Sequence, residues 1–233
     1  MNSFASPQNL GALPCALPCA LPLNDLYARV FDAILDQRIN AGSRFTEDSL
    51  AQMFSARRSD IRGVLSGLSH QQIIILRPNH RPRVALLDRE QIRQTLHARR
   101  LTENTLVQLA CRNSGRQDFK RLHALLEQEH SCTEQAPAIR LSGEFHLLLA
   151  EMAGNAPLAH FLGSLVPLTS LAIAQADAHP ANCCDWQAHQ GILDAVERGN
   201  ESMATTLLNR HLDQLEELLM NMPSMTGRNR AAG

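Results

Sequence analysis

No stretch of this 233-residue chain runs to the roughly 18 consecutive apolar residues of a membrane-spanning helix, which argues against an integral membrane protein. Residues 1–23 contain no lysine or arginine, and within them ALPCALPCALP carries a proline at every fourth position. A secretory signal needs a positive start and an unbroken apolar core, so this stretch is expected to be a disordered leader instead. Six cysteines are present, none with zinc-ribbon spacing. Cys15 and Cys19 could form a redox or metal pair, while Cys111, Cys132, Cys183 and Cys184 read as reduced thiols of a cytoplasmic protein. Strong charge of either sign is also missing. Residues 24–88 hold nine Lys+Arg against seven Asp+Glu, and residues 89–233 thirteen against sixteen. That excludes a polycation held to its partners by field alone, and any contact with an anionic polymer must come from a few placed arginines. With 44% hydrophobic and 19% charged residues, the chain can nevertheless bury a sizeable core.

What is present organises around Thr46–Leu68. Thr46, followed by Glu47 and Asp48, makes a helix start with a hydroxyl cap and acidic first turn. Leu50, Met53 and Phe54 give that helix one apolar face. After a turn at Ser55-Ala56, Ile61, Val64, Leu65 and Leu68 recur at helical spacing. Arg58 and Arg62, four apart, share another face beside Arg57 and Ser59. An arginine-led second helix suits a helix-turn-helix entering a major groove, although an ordinary helix pair with a solvated arginine cluster shows the same local pattern. The β-branched run Gln71–Leu76, the turn Arg77–Pro82 and Arg83–Leu86 predict a hairpin directly after it. As a wing, that hairpin would bring Arg77, His80, Arg81 and Arg83 to phosphates or a minor groove. Asn24–Arg38 supplies the first helix, through Leu26, Val30, Phe31, Ile34 and Leu35.

Residues 26–88 resemble the winged helix-turn-helix of the GntR family of bacterial transcription regulators. The resemblance is carried by the stretch from Phe54 to Leu65, FSARRSDIRGVL, in which the family's two DNA-contacting arginines fall on Arg58 and Arg62. The chain departs from the pattern at Arg57, Asp60 and Gly63, where the family has serine, proline and glutamate. At the wing tip Arg81 replaces a glycine, and Ala41 stands where a proline is usual. These departures leave the operator sequence open.

Beyond Asp88, which reads as an N-cap, only helical periodicity follows. Six helices are expected, over about 89–112, 116–130, 137–153, 156–177, 184–198 and 200–221, separated by turn residues such as Asn113-Ser114-Gly115, Gly154-Asn155, His179-Pro180 and Gly199-Asn200. Short connections make this an antiparallel bundle. The expected fold is therefore mainly α, with a winged helix-turn-helix at 24–88, an all-helical domain at 89–222 and a disordered tail at 223–233. The second part resembles the FCD effector domain of FadR-type GntR proteins, and six helices suit the VanR-like branch.

His146, His189 and His211 lie on three different expected helices. By spacing alone, three of ten histidines define nothing. The resemblance gives them a role, since FCD domains commonly bind a divalent metal through three histidines in these motifs and an aspartate four residues before the first. That position is Ser142 here, a poor ligand beside a carboxylate, so the implied site is three imidazoles, suited to zinc or nickel with positions left open. Open positions suit a carboxylate effector. Arg99 matches a cavity-facing family arginine that could take the far end of such an acid; equally, it could form an i, i+4 salt bridge with Glu103. The resemblance implies a homodimeric DNA-binding regulator, expected to be a repressor, with double-stranded operator DNA and a small organic acid as partners. Two other readings stay open: a metal-dependent enzyme using the histidines, against which stands the lack of any accompanying nucleophile or base motif, and a metal-free ligand-binding regulator.

Overall fold

The computed structural model describes residues 23–113, 115–176 and 186–221. The expected leader up to residue 22, the tail, Cys183 and Cys184, the His179-Pro180 break and the start of the helix expected at 184 lie outside the described residues. The chain enters through α1 (Leu23–Leu35), α2 (Glu47–Phe54) and α3 (Arg58–His70). Thr46 caps α2 reciprocally: its hydroxyl accepts from the Ser49 N–H at 3.1 Å, and the Ser49 hydroxyl accepts from the Thr46 N–H at 2.9 Å. At the other end Ser55 adopts a left-handed conformation, φ 51°, and the Ala56 N–H reaches back to the Ala51 carbonyl at 2.9 Å. That closes the turn expected at Ser55-Ala56. Behind it Val30, Ile34, Leu50, Phe54, Ile61, Leu65 and Leu68 form the core that holds α3 outward.

The wing is shorter than the sequence suggests. Only β1 (Ile74–Ile75) and β2 (Arg83–Val84) pair, antiparallel, with Ile74 opposite Val84 and Ile75 opposite Arg83. Gln71 is spent ending α3, its N–H bonded to the Gly67 carbonyl at 3.2 Å, while Pro78 and Pro82 have no N–H to give a ladder. The tip turns at Arg77–His80, and the left-handed residue there is Asn79, φ 59°. Arg81 therefore replaces the family glycine without strain.

Helices α4 (Arg89–Asn113), α5 (Arg116–Ser131), α6 (Gln135–Met152), α7 (Ala156–Gln175), α8 (Trp186–Glu197) and α9 (Glu201–Asn221) make up the rest of the described chain. Asp88 caps α4 by accepting from the Gln91 N–H at 2.8 Å. Gly154 and Gly199, at φ 69° and 65°, end α6 and α8 in the conformation a side chain resists. Central to the bundle is α4, packed on α6, α7, α8 and α9. One expectation needs correction here: α7 carries no charged residue and is long and apolar enough to cross a membrane. Every residue from Leu165 to Gln175 is buried, however, so its composition is that of an interior helix.

Helix α1 packs on α6 and α7 as well as on α2 and α3, and one continuous apolar cluster joins Ile34 and Leu68 to Ile139, Leu168 and Leu171. Polar ties reinforce this junction. Arg140 on α6 donates to Asp32 on α1 at 2.8 Å and to Glu144 at 2.6 Å. The Gln175 side chain bonds the Ala85 carbonyl at 2.5 Å and the Leu87 N–H at 3.3 Å, pinning the strand that leaves the wing. Truncating a fully buried aliphatic side chain costs about 2–5 kcal/mol. Ile139→Ala is expected to lower stability by that order in urea unfolding followed by circular dichroism.

Candidate functional site

Two constellations stand out, one on the surface of α3 and one inside the bundle. On the surface, Arg57 is the N-cap residue of α3 and pairs with Asp60 at 2.9 Å, and the Ser59 hydroxyl donates to the same carboxylate at 3.3 Å. Arg58 and Arg62 project from the first two turns and are both solvent-exposed, at 57% and 63% of their side-chain surface. Both converge on Glu47 of α2. Arg58 Nε lies 2.8 Å from its carboxylate, and Arg62 donates through Nε at 3.0 Å and Nη2 at 2.8 Å. Hydrogen bonds from Arg62 and then Arg58 hold the Glu47 carboxyl down to about 2. In the wing, Arg77, His80, Arg81 and Arg83 line with Ile75 a pocket of about 290 Å³. The His80 ring is steadied by the Pro78 carbonyl at 2.8 Å from Nδ1.

Inside the bundle, His146 of α6, His189 of α8 and His211 of α9 come together, each buried. Their ring centroids are 4.7–5.2 Å apart, and one nitrogen from each lies within 4.8 Å of the other two. Nitrogens sharing one ion at about 2.0–2.1 Å would draw in by about an ångström, a small ring rotation. Phe145 stacks on His189 at 4.4 Å and fixes its plane.

Two carboxylates lie against two of the rings. Glu129 of α5, itself buried, contacts His189 Nδ1 at 2.9 and 3.1 Å, leaving Nε2 buried with no partner. Glu103 of α4 has an oxygen 2.6 Å from His146 Nδ1, misaligned for a well-formed hydrogen bond. A carboxylate on the far nitrogen is the arrangement that orients a metal-binding imidazole. Sequence reading had Glu103 only as a partner of Arg99, and missed Glu129 altogether. Nothing local marks Glu129, because the contact spans 60 positions.

Arg99 does form the ion pair with Glu103, fully buried at 2.6 Å, yet its Nη2 is left without a partner. Ser142 is buried one turn before His146 on α6. Burial pushes the Glu103 carboxyl up, and the Arg99 guanidinium more than reverses this, holding it down to about 2. Burial pushes His146 down to about 4, against the opposing pull of Glu103. His211 is lowered as well, by burial and then by its two histidine neighbours. The lowered His146 and His211, beside the orphaned buried Nε2 of His189, fit a transition-metal ion, whose imidazole ligands must be unprotonated.

A helix-turn-helix and wing joined to an antiparallel helical bundle with a buried histidine centre define a winged-helix protein with a helical effector-type domain. Residues 94–214 match the FCD domain family, and the chain belongs to that family, within the GntR-type regulators. It is 26% identical over 195 residues to the HTH-type transcriptional repressor NanR of Cronobacter sakazakii, covering 73% of this chain and 74% of the relative. Among solved structures it is similar to E. coli McbR/YncC, with a TM-score of 0.70 at 17% identity over 85% of this chain and 96% of that one. A GntR regulator from Rhodococcus sp. RHA1 gives 0.67 at 19%, over 85% and 97%.

The lowered histidines set a pH dependence in metal-free protein. His146 and His211 have folded values below the ordinary 6.5, so the unfolded chain takes up their protons first. Stability is complete above about pH 6.5 and is lost as pH falls toward 4, on the order of 3 kcal/mol from His146 alone. Chelator-treated protein is expected to melt at a clearly lower temperature at pH 5 than at pH 7.5, and the drop should shrink in His146→Asn.

Proposed function

We propose that this protein is a homodimeric, cytoplasmic transcription regulator that binds double-stranded operator DNA through residues 24–88 and senses a small organic acid through a helical domain at 89–222. The observation that carries the DNA half is the exposed pair Arg58 and Arg62 on the first two turns of α3. On this reading they reach base edges in the major groove. Arg57, Ser59 and the wing residues Arg77, His80, Arg81 and Arg83 hold the phosphate backbone. A dimer doubles these contacts, which a near-neutral chain needs. The relative NanR is a transcriptional repressor, and we assign the same sense here.

For the sensing half, His146, His189 and His211 hold one divalent metal, zinc or nickel, with Glu129 and Glu103 behind two of them. The support is the buried, unpartnered His189 Nε2 and the nearness of the three ligand nitrogens. When bound, such an ion supplies a Lewis-acid centre for an anionic group. Arg99, with its spare Nη2, and Ser142 are the residues assigned to the effector. An enzymatic use of the histidines is disfavoured. The two carboxylates beside them are engaged with Arg99 and the ring nitrogens, and a hydrolytic site gives no reason for the arginine-led α3.

Selection from random duplexes with the full-length protein should enrich a two-fold symmetric site. Replacing Arg58 and Arg62 together by alanine should remove that enrichment, each lost bidentate contact costing about tenfold or more in discrimination. Equal enrichment by the double variant would mean that α3 does not read the groove. For the metal, elemental analysis of purified protein should find about one zinc or nickel per chain, and His189→Ala should abolish it. Ser142→Asp should raise metal affinity measured by calorimetry. Protein that takes up neither ion at micromolar concentration would leave a metal-free effector domain.

A further inference from the structure

The function proposed above uses the arginines of α3 but assigns nothing to the acidic residues that face them. Three cations and three anions meet at this surface: Arg57 with Asp60 at 2.9 Å, Arg58 with Glu47 at 2.8 Å and Asp48 at 3.3 Å, and Arg62 with Glu47 at 2.8 Å. The patch is thus electrically balanced. Its anions are not scattered either, since one carboxylate, Glu47, spans both groove-facing arginines.

The edges used are informative. Arg62 gives Glu47 its side edge, Nε and Nη2, to the two separate oxygens. Arg58 gives Nε to Glu47 and turns Nη1 toward Asp48. A guanidinium has five N–H donors in a planar fork, so committing the side edge of Arg62 leaves its end edge, Nη1 and the second Nη2 hydrogen, as the free two-pronged donor. That is the donor pair that matches guanine O6 and N7. Glu47 sits on the first turn of α2, where its charge is favoured by the helix N-terminus, and it is the most sheltered member of the group, with 24% of its side chain exposed.

We infer that Glu47 is a positioning and specificity-determining residue for DNA reading. It clamps Arg58 and Arg62 by their Nε sides, presents the end edge of Arg62 to the groove, and by its charge opposes the use of either arginine as a general phosphate clamp. This rests on the reading that Arg58 and Arg62 enter the groove. Its effect is on the ratio between operator and other DNA rather than on folding, because exposed ion pairs add little to stability.

The test measures full-length wild type, Glu47→Gln and Glu47→Asp on two duplexes of equal length, the wild-type-selected site and a random sequence, across a salt series. Glu47→Gln is expected to bind the selected site about tenfold or more weaker and the random duplex tighter. Its salt slope on the random duplex should steepen by about one, as a freed arginine takes a phosphate. Glu47→Asp keeps the charge and the helix-start preference but is one methylene short. It should lose affinity for the selected site while binding random DNA as wild type does, and it serves even if the glutamine variant folds poorly. An unchanged ratio between the two duplexes in Glu47→Asp, or affinities that fall together in a well-folded Glu47→Gln, would overturn the assignment. Failure of the groove reading is distinguishable, because the Arg58/Arg62 double alanine variant would then select as wild type does.

Discussion

The Glu103 carboxylate is an ionised group in the middle of an apolar bundle, and the centre of the molecule is built to tolerate it. Removing such a group from water costs several kcal/mol, which only well-placed partners can offset. Arg99 lies one turn earlier on the same helix, so the pair forms without help from tertiary structure. The second oxygen of Glu103 faces His146 across the α4–α6 interface, 2.6 Å from Nδ1. That contact is not a well-formed hydrogen bond, so Arg99 carries most of the compensation. Glu103 and Arg99 thereby place a buried charged pair beside the point where the three histidines meet.

The same chemistry appears twice with opposite consequences. Arg99 and Glu103 are sealed from water, so the carboxylate keeps its partner and only the spare Nη2 of Arg99 is left for a ligand. Arg58, Arg62 and Glu47 are open to solvent, where an arginine–carboxylate bond is weak enough to be exchanged or shared with a ligand.

Much of the surface site was legible because its determinants are local. A hydroxyl cap at Thr46, arginines at i and i+4 in Arg58 and Arg62, and the proline-bounded hairpin all declare themselves within a few residues. Helix limits in the bundle came within a few residues for the same reason, through the cap at Asp88 and the glycines at 154 and 199. The interior was legible only by resemblance. His146, His189 and His211 are separated by tens of residues, and no periodicity says that they meet. Glu129 carries no pattern whatever, because a glutamate near a helix end ordinarily faces water. Glu47 was visible as an acidic first-turn residue, but its bridging of two arginines depends on the angle between α2 and α3, which sequence does not state. The apolar run of α7 was misjudged because scattered Ser, Thr and His residues hid a stretch wholly free of charge.

The shared apolar cluster at the junction bears on modularity. Helix α1 has two backs: one closes over α2 and α3, and the other lies against α6 and α7, where Ile139, Leu168 and Leu171 continue its packing. The DNA-facing unit therefore has no complete outer wall of its own. Severed after Asp88, it would carry an oily flank into solvent, which favours clumping over a well-behaved fragment. In evolutionary terms, this head cannot be swapped freely onto another bundle, because whatever replaces α6 and α7 must supply both matching contours and a cation opposite Asp32.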